Sequence, residues 1–134
     1  MRTPAHETAI YLAALTGFGS LGGSDQWSVY VGREPLSPVD VVTVYDTGGT
    51  AALLLPDIRR PTIQLRVRSA SYDNAWQKIN EAYEELVGVI SYDTFQSRVI
   101  AWAPFSDVQF IGRDDGDRAL FTCNFNFLRQ GPTS

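Results

Sequence analysis

TIQLRVRSASYDNAWQKINEAYEELVG, residues 62–88, changes its hydrophobic period in the middle, and that change decides the fold. From Thr62 to Ser69, Ile63, Leu65 and Val67 alternate with Gln64, Arg66 and Arg68. A period of two puts the aliphatic side chains on one face of a strand, so one sheet face packs on a core while the other stays polar. From Ser71 onward the period lengthens, and Tyr72, Trp76, Ile79, Tyr83 and Leu86 recur at the spacing of one helix face. Ser71 supplies an N-cap, Asp73 suits the positive end of the helix dipole, and Gly88 supplies the stop. Trp76 lies within the stripe and is assigned to the core, where truncation to alanine would cost about 3–5 kcal/mol. Glu84 and Glu85 sit at the negative end of the dipole, a placement that costs a few tenths of a kcal/mol and hints at an arginine partner elsewhere.

Strand periodicity recurs on both sides. Val42 and Val44 alternate with Thr43 and Tyr45 in a strand over Val39–Tyr45, and QWSVYVG sets Trp27, Val29 and Val31 against Ser28 and Tyr30. Ahead of them, Pro4 to Thr16 carries Ala9, Ile10, Ala13 and Leu15 near one helical face, with Thr3 as N-cap, Pro4 at the first helical position and Gly17 as C-terminal cap. Further strands are predicted over Ser97–Trp102, Asp107–Gly112 and Arg118–Leu128; in the last, Phe121, Cys123, Phe125 and Phe127 alternate with Thr122, Asn124 and Asn126. The order α-β-β-β-α-β-β-β predicts a single α+β domain over residues 1–134, a mostly antiparallel β-sheet with two helices on one face. Asp46 to Gly49 reads as a turn, and Thr50 to Arg60 has no period and is bracketed in its second half by Pro56 and Pro61. Residues 46–61 are therefore expected to form a flexible functional loop.

Gly17, Gly19 and Gly22 match G-x-G-x-x-G, the spacing that cradles a pyrophosphate when a strand feeds the turn and a helix leaves it. Here the order is reversed, helix before and strand after, and Pro35 and Pro38 leave no room for a crossover helix before Asp40. Residues 17–26 are read as a glycine-rich helix-to-strand loop, and no cofactor is expected.

A chain of 134 residues with 44% hydrophobic content can bury a sizeable core without staples. The single Cys123 excludes an internal disulfide framework, and with no leader-like or membrane-spanning run a soluble intracellular protein is expected. The net charge of -4 argues against a protein that grips nucleic acid over its whole surface. Arg59, Arg60, Arg66 and Arg68 nevertheless cluster; a solvated or salt-bridged strand face, a protein interface and a nucleic-acid contact are the three readings of that cluster.

Tests for catalysis come out negative. The only histidine, His6, sits in the first turn of a helix, where a surface residue is the simpler reading than a catalytic base. Asp114, Asp115 and Asp117 around Gly116 lack the spaced ligands and closing glutamate of a calcium loop and read as a hairpin turn. No catalytic or metal-binding residue is assigned.

The R-x-R strand (Arg66, Arg68) leading into an aromatic-bearing helix, and the hairpin FIGRDDGDRALFTCNFNFLR leading into an N-F-x-F strand, resemble the tail terminator or minor capsid proteins of long-tailed bacteriophages over about Trp27 to Arg129. The resemblance implies a virion structural protein, not an enzyme, assembled in the host cytoplasm. It would cap the head-proximal end of the tail tube as a hexameric ring, stopping tube growth and offering the head's connector or stopper protein a joining surface. The implied partners are further copies of the chain, the major tail tube protein and the connector, with DNA passing through the ring without sequence-specific binding and no membrane involved. Another neck component, such as a head completion or stopper protein, and a nucleic-acid-binding module are the alternatives. A ring needs a heterologous interface, for which opposite charges give register. Arg66 and Arg68 are expected to meet Glu81, Glu84 and Glu85 of a neighbour. The segment carrying Asp46, Thr47, Gly48, Gly49, Thr50, Leu53, Leu54, Asp57, Arg59 and Arg60 is expected to touch the tail tube.

Overall fold

The computed structural model describes residues 3–50, 58–89, 92–93 and 98–130. Along the chain run α1 (Pro4–Ala13), β1 (Ser28–Val31), β2 (Val41–Thr50), β3 (Ile58–Ser69), α2 (Tyr72–Val87), β4 (Tyr92–Asp93), β5 (Arg98–Pro104), β6 (Gln109–Arg113) and β7 (Ala119–Gln130). This is the expected order with the two-residue β4 added. The strands form one sheet in the order β1-β2-β3-β7-β5-β4, and β6 also pairs with β7. Among the described strands, β1 and β2 run parallel and the other pairs antiparallel, and Leu21 adds an isolated parallel bridge to Val29. Because β3 occupies one edge of β7 along Ala119–Thr122, β6 lies on the other edge, ahead of β5.

Alternation assigns the two faces. Ile63, Leu65 and Val67 stand in register with Phe125, Cys123 and Phe121 on β7, and Leu65 and Val67 with Val44 and Val42 on β2; all are buried. Ala5, Ala9 and Leu12 of α1 and Ala75, Ile79, Ala82 and Leu86 of α2 close over this face, so both helices share one side of the sheet. The fully buried stripe of α1 is Ala5, Ala9 and Leu12; of the expected Ala9, Ile10, Ala13 and Leu15, Ala9 is buried, Ala13 and Leu15 pack partly buried against the core, and Ile10 is only half-buried. Thr3 caps α1 by accepting from the His6 N–H at 3.1 Å, and Ser71 caps α2 by accepting from Asn74 N–H at 3.2 Å. The C-cap of α1 is Ala14, three residues before the glycine expected there.

Trp76 is a correction. It is 46% exposed, and its ring meets Phe121 at 5.8 Å from the margin of α2 rather than from beneath it. The buried side of α2 is narrow because Ala75 and Ala82 let the helix approach the sheet closely, which leaves the bulky Tyr72 and Trp76 at the rim. Trp76→Ala is therefore expected to cost about 1 kcal/mol, well below the ~3–5 kcal/mol of a fully buried tryptophan, and a shift in the urea midpoint measures it.

The segment expected to be one loop, residues 46–61, is strand at both ends: β2 runs to Thr50 and β3 resumes at Ile58. A bulge between Asp46 and Gly48 changes the register, with Gly48 at φ 97°, a conformation open to glycine. Arg60 and Pro61 pair with β2 but not with β7, where proline has no N–H to offer. Leu53, Leu54 and Asp57 lie outside the described residues. Among the described residues, no helix is long and apolar enough to cross a membrane.

Candidate assembly surfaces

The face of the sheet away from the helices carries Thr43, Arg66 and Thr122 in one register row and Val41, Arg68 and Leu120 in the next. It is partly covered. The connection Gly32–Asp40, which carries the chain from β1 to its parallel neighbour β2, crosses over it, and Arg68 holds that strap down. Arg68 Nε donates to Val39 O at 3.1 Å, and its Nη2 donates to Pro38 O at 2.7 Å and Leu36 O at 3.3 Å. Glu34 on the strap lies 3.0 Å from Arg66 Nε and 3.4 Å from Arg68 Nη1. Neither contact is aligned as a hydrogen bond, so Glu34 Oε1 and Arg66 Nε are ion-paired by distance without one. Burial pulls the Arg68 guanidinium below its ordinary pKa, opposed by Glu34, and burial together with Glu34 pushes the Tyr45 phenol up.

The two arginines expected to face a neighbour's acids thus find an acid within their own chain, and Glu34 is a residue the sequence reading did not single out. They also differ from one another: the Arg68 side chain is 4% exposed and that of Arg66 is 29% exposed. Arg68 is a structural clamp, and Arg66 keeps a free edge.

The three expected acidic partners separate in the same way. Glu81 Oε2 pairs with Lys78 Nζ at 3.0 Å. Glu84 and Glu85 are exposed at the end of α2 and make no ion pair among the described residues. Lys78 itself is buried: its Nζ donates to Gly17 O at 2.8 Å and lies 4.6 Å from the Phe18 ring centroid and 5.3 Å from that of Trp27. This latch holds the glycine-rich loop against α2. The loop also docks along β1, with Gly22 N–H donating to Val29 O at 2.8 Å and Gly19 N–H to Trp27 O at 2.9 Å. A Cβ on Gly19 would lie 2.8 Å from Gln26 O and Ser28 N, so the close approach requires glycine there. The fingerprint spacing serves packing, with a helix before it and a strand after it. Lys78→Met is expected to cost about 1–3 kcal/mol by removing charge-assisted hydrogen bonds, and to speed amide exchange at Gly19 and Gly22.

Of the expected tube-contact residues, Asp46 Oδ1 accepts from Ala5 N–H at 2.9 Å at the start of α1, and the Thr47 and Thr62 hydroxyls meet at 2.7 Å. Gly48, Gly49 and Thr50 continue β2, and Arg59 and Arg60 belong to β3. The Asp114–Asp117 cluster is the expected turn between β6 and β7: Asp114 Oδ1 accepts from Gly116 and Arg118 N–H groups, each at 3.0 Å. Partial burial raises the Asp114 pKa, but Arg118 and these N–H donors outweigh it and hold the carboxyl below its ordinary value. Cys123 is buried, its thiol donating to Ser106 O at 3.2 Å, and burial pushes its pKa up to about 11.

A second surface escaped the sequence reading. Phe110 on β6, Tyr72 and Trp76 are each close to half exposed, and all three rings pack around Phe121 at centroid distances of 5.1–5.8 Å. Leu36 stands out from the strap, 84% exposed. Isolated apolar residues are normal on surfaces, but a cluster of large rings beside the exposed strand β6 is the kind of patch that partners cover.

A family model described as bacteriophage tail terminator protein matches residues 12–130. No curated protein matches the chain.

Proposed function

The chain belongs to the bacteriophage tail terminator family, and from that premise we propose that it caps the head-proximal end of the completed tail tube as a hexameric ring, stopping tube growth and presenting the surface to which the head's connector or stopper protein joins. The family is a structural family of the phage tail, which makes this chain a virion component and not a member of an enzyme family. Assembly in the host cytoplasm, contact of the β2–β3 end of the domain with the tube protein, and passage of DNA through the ring without sequence-specific binding complete the reading. The net charge of -4 is in keeping with the last point.

The observation that carries the ring is the separation of charge between two faces. The exposed face of α2 bears Asp73, Glu84 and Glu85, whereas the face beneath the strap bears Arg66, still 29% exposed beside its ion-pair partner Glu34, and the strap carries the exposed Arg33. Opposite charges on opposite faces favour a head-to-tail contact, which closes into a ring when the rotation permits. Of the residues expected at the interface, Glu84 and Glu85 are exposed and Arg66 keeps an exposed edge beside Glu34, while Arg68 and Glu81 serve their own chain.

Sedimentation with cognate tail tubes of different lengths tests the capping role. Bound protein should follow the number of tubes and be independent of their length. Binding that grows with tube length would mean attachment along the wall and would refute capping.

A further inference from the structure

Resting on the ring reading, we infer that Leu36 on the strap of one copy inserts between the Tyr72, Trp76 and Phe110 rings of the next copy. Leu36 is 84% exposed, yet its backbone is doubly tied: its carbonyl accepts from Arg68 Nη2 at 3.3 Å and from Arg118 Nη1 at 3.0 Å. A large aliphatic side chain is thereby held outward on a fixed backbone, so little ordering entropy is lost when it docks. The receiving surface is equally preformed, because the three rings are braced on the buried Phe121 while each stays 44–46% exposed.

Placement selects a second copy as the occupant. The knob lies on the sheet face opposite the helices and the socket on the helical face, so no copy can fill its own socket. A two-fold dimer would have to present both faces of each copy to the same partner, whereas a head-to-tail series uses each face once. The charges around the knob are mixed, with Arg66 ion-paired to Glu34 and Arg118 to Asp114, so it is the placement on opposite faces that selects the occupant. Seating the knob also covers the aromatic cluster and part of the exposed β6 surface.

The test is disulfide trapping with the double variant Leu36→Cys/Trp76→Cys in the full chain bound to cognate tail tubes. Both positions are exposed, so neither change disturbs the core. The native Cys123 is buried and its thiol is held protonated, which keeps it out of the reaction. Oxidation should give a ladder of covalent multimers from the double variant and none from Trp76→Cys alone. In parallel, Leu36→Asp should raise the protein concentration needed for capping by about tenfold or more, the loss expected of a buried apolar anchor, with unchanged circular dichroism. Capped tubes without a ladder, or Leu36→Asp capping at the wild-type concentration, would overturn this contact and leave the ring standing. Bare tube ends with the wild-type chain would overturn both.

Discussion

Arg68→Ala is expected to destabilise the fold by about 3–5 kcal/mol, the largest effect of any charged residue here, even though its guanidinium sits on the polar side of the sheet. The change removes the donors to Leu36, Pro38 and Val39 carbonyls together, and leaves Glu34 facing Arg66 alone over a buried sheet surface. Buried ion pairs contribute little compared with a well-packed apolar substitute, but deleting one member strands the rest. Arg66→Ala provides the contrast: with a 29% exposed side chain and a single ion contact, its loss should stay within about 1 kcal/mol. Arg68→Lys should not rescue, since an ammonium cannot span the carbonyls that the planar fork reaches. Urea unfolding supplies the numbers, and faster amide exchange along β1 and the start of β2 would show that the strap has come loose. A midpoint for Arg68→Ala equal to that of Arg66→Ala would contradict the clamp.

Trp102→Ala should cost a comparable ~3–5 kcal/mol by a different mechanism. Trp102 is 2% exposed on β5, its ring centroid lies 5.1 Å from Tyr11 and 5.5 Å from Phe127, and its Nε1 donates to Thr8 Oγ1 at 2.9 Å. Truncation leaves a cavity between α1 and the sheet that the surrounding strands cannot collapse into. Trp102→Phe keeps most of the volume but loses the hydrogen bond to α1, so it should cost about 1–2 kcal/mol. Thr8→Val removes the acceptor of that bond while leaving the indole in place, and with it the hydroxyl's own donation to Pro4 O at 2.8 Å. Equal costs for Trp102→Ala and Trp76→Ala would mean that the two tryptophans had been assigned to the wrong environments.

That pair shows where sequence was and was not sufficient. The switch of period at Ser69–Ser71 is a local property, and α2, residues 62–69 of β3 and the buried row Ile63, Leu65 and Val67 follow from it directly, whereas residues 58–61, without a period, read as loop. The hairpin at Asp114–Asp117 and both helix N-caps were equally local. Trp76 was misread because helical spacing identifies a stripe but not its centre. Ala75 and Ala82, small and easily overlooked, mark the side that touches the sheet, and they turn Trp76 to the rim. Glu34 was invisible for another reason: it reaches Arg66 and Arg68 only because the β1–β2 connection crosses the sheet, a contact between positions far apart in the chain. The aromatic cluster likewise joins Tyr72 and Trp76 to Phe110 and Phe121 through tertiary packing that no short motif encodes.

The proposed ring requires that this domain bind its own copies head to tail at the end of a tube. Negative-stain microscopy of the purified chain mixed with cognate tail tubes tests it most directly. The expected result is a ring of subunits on one end of each tube and none on the other or along the wall. Folded protein that leaves both ends bare would contradict it.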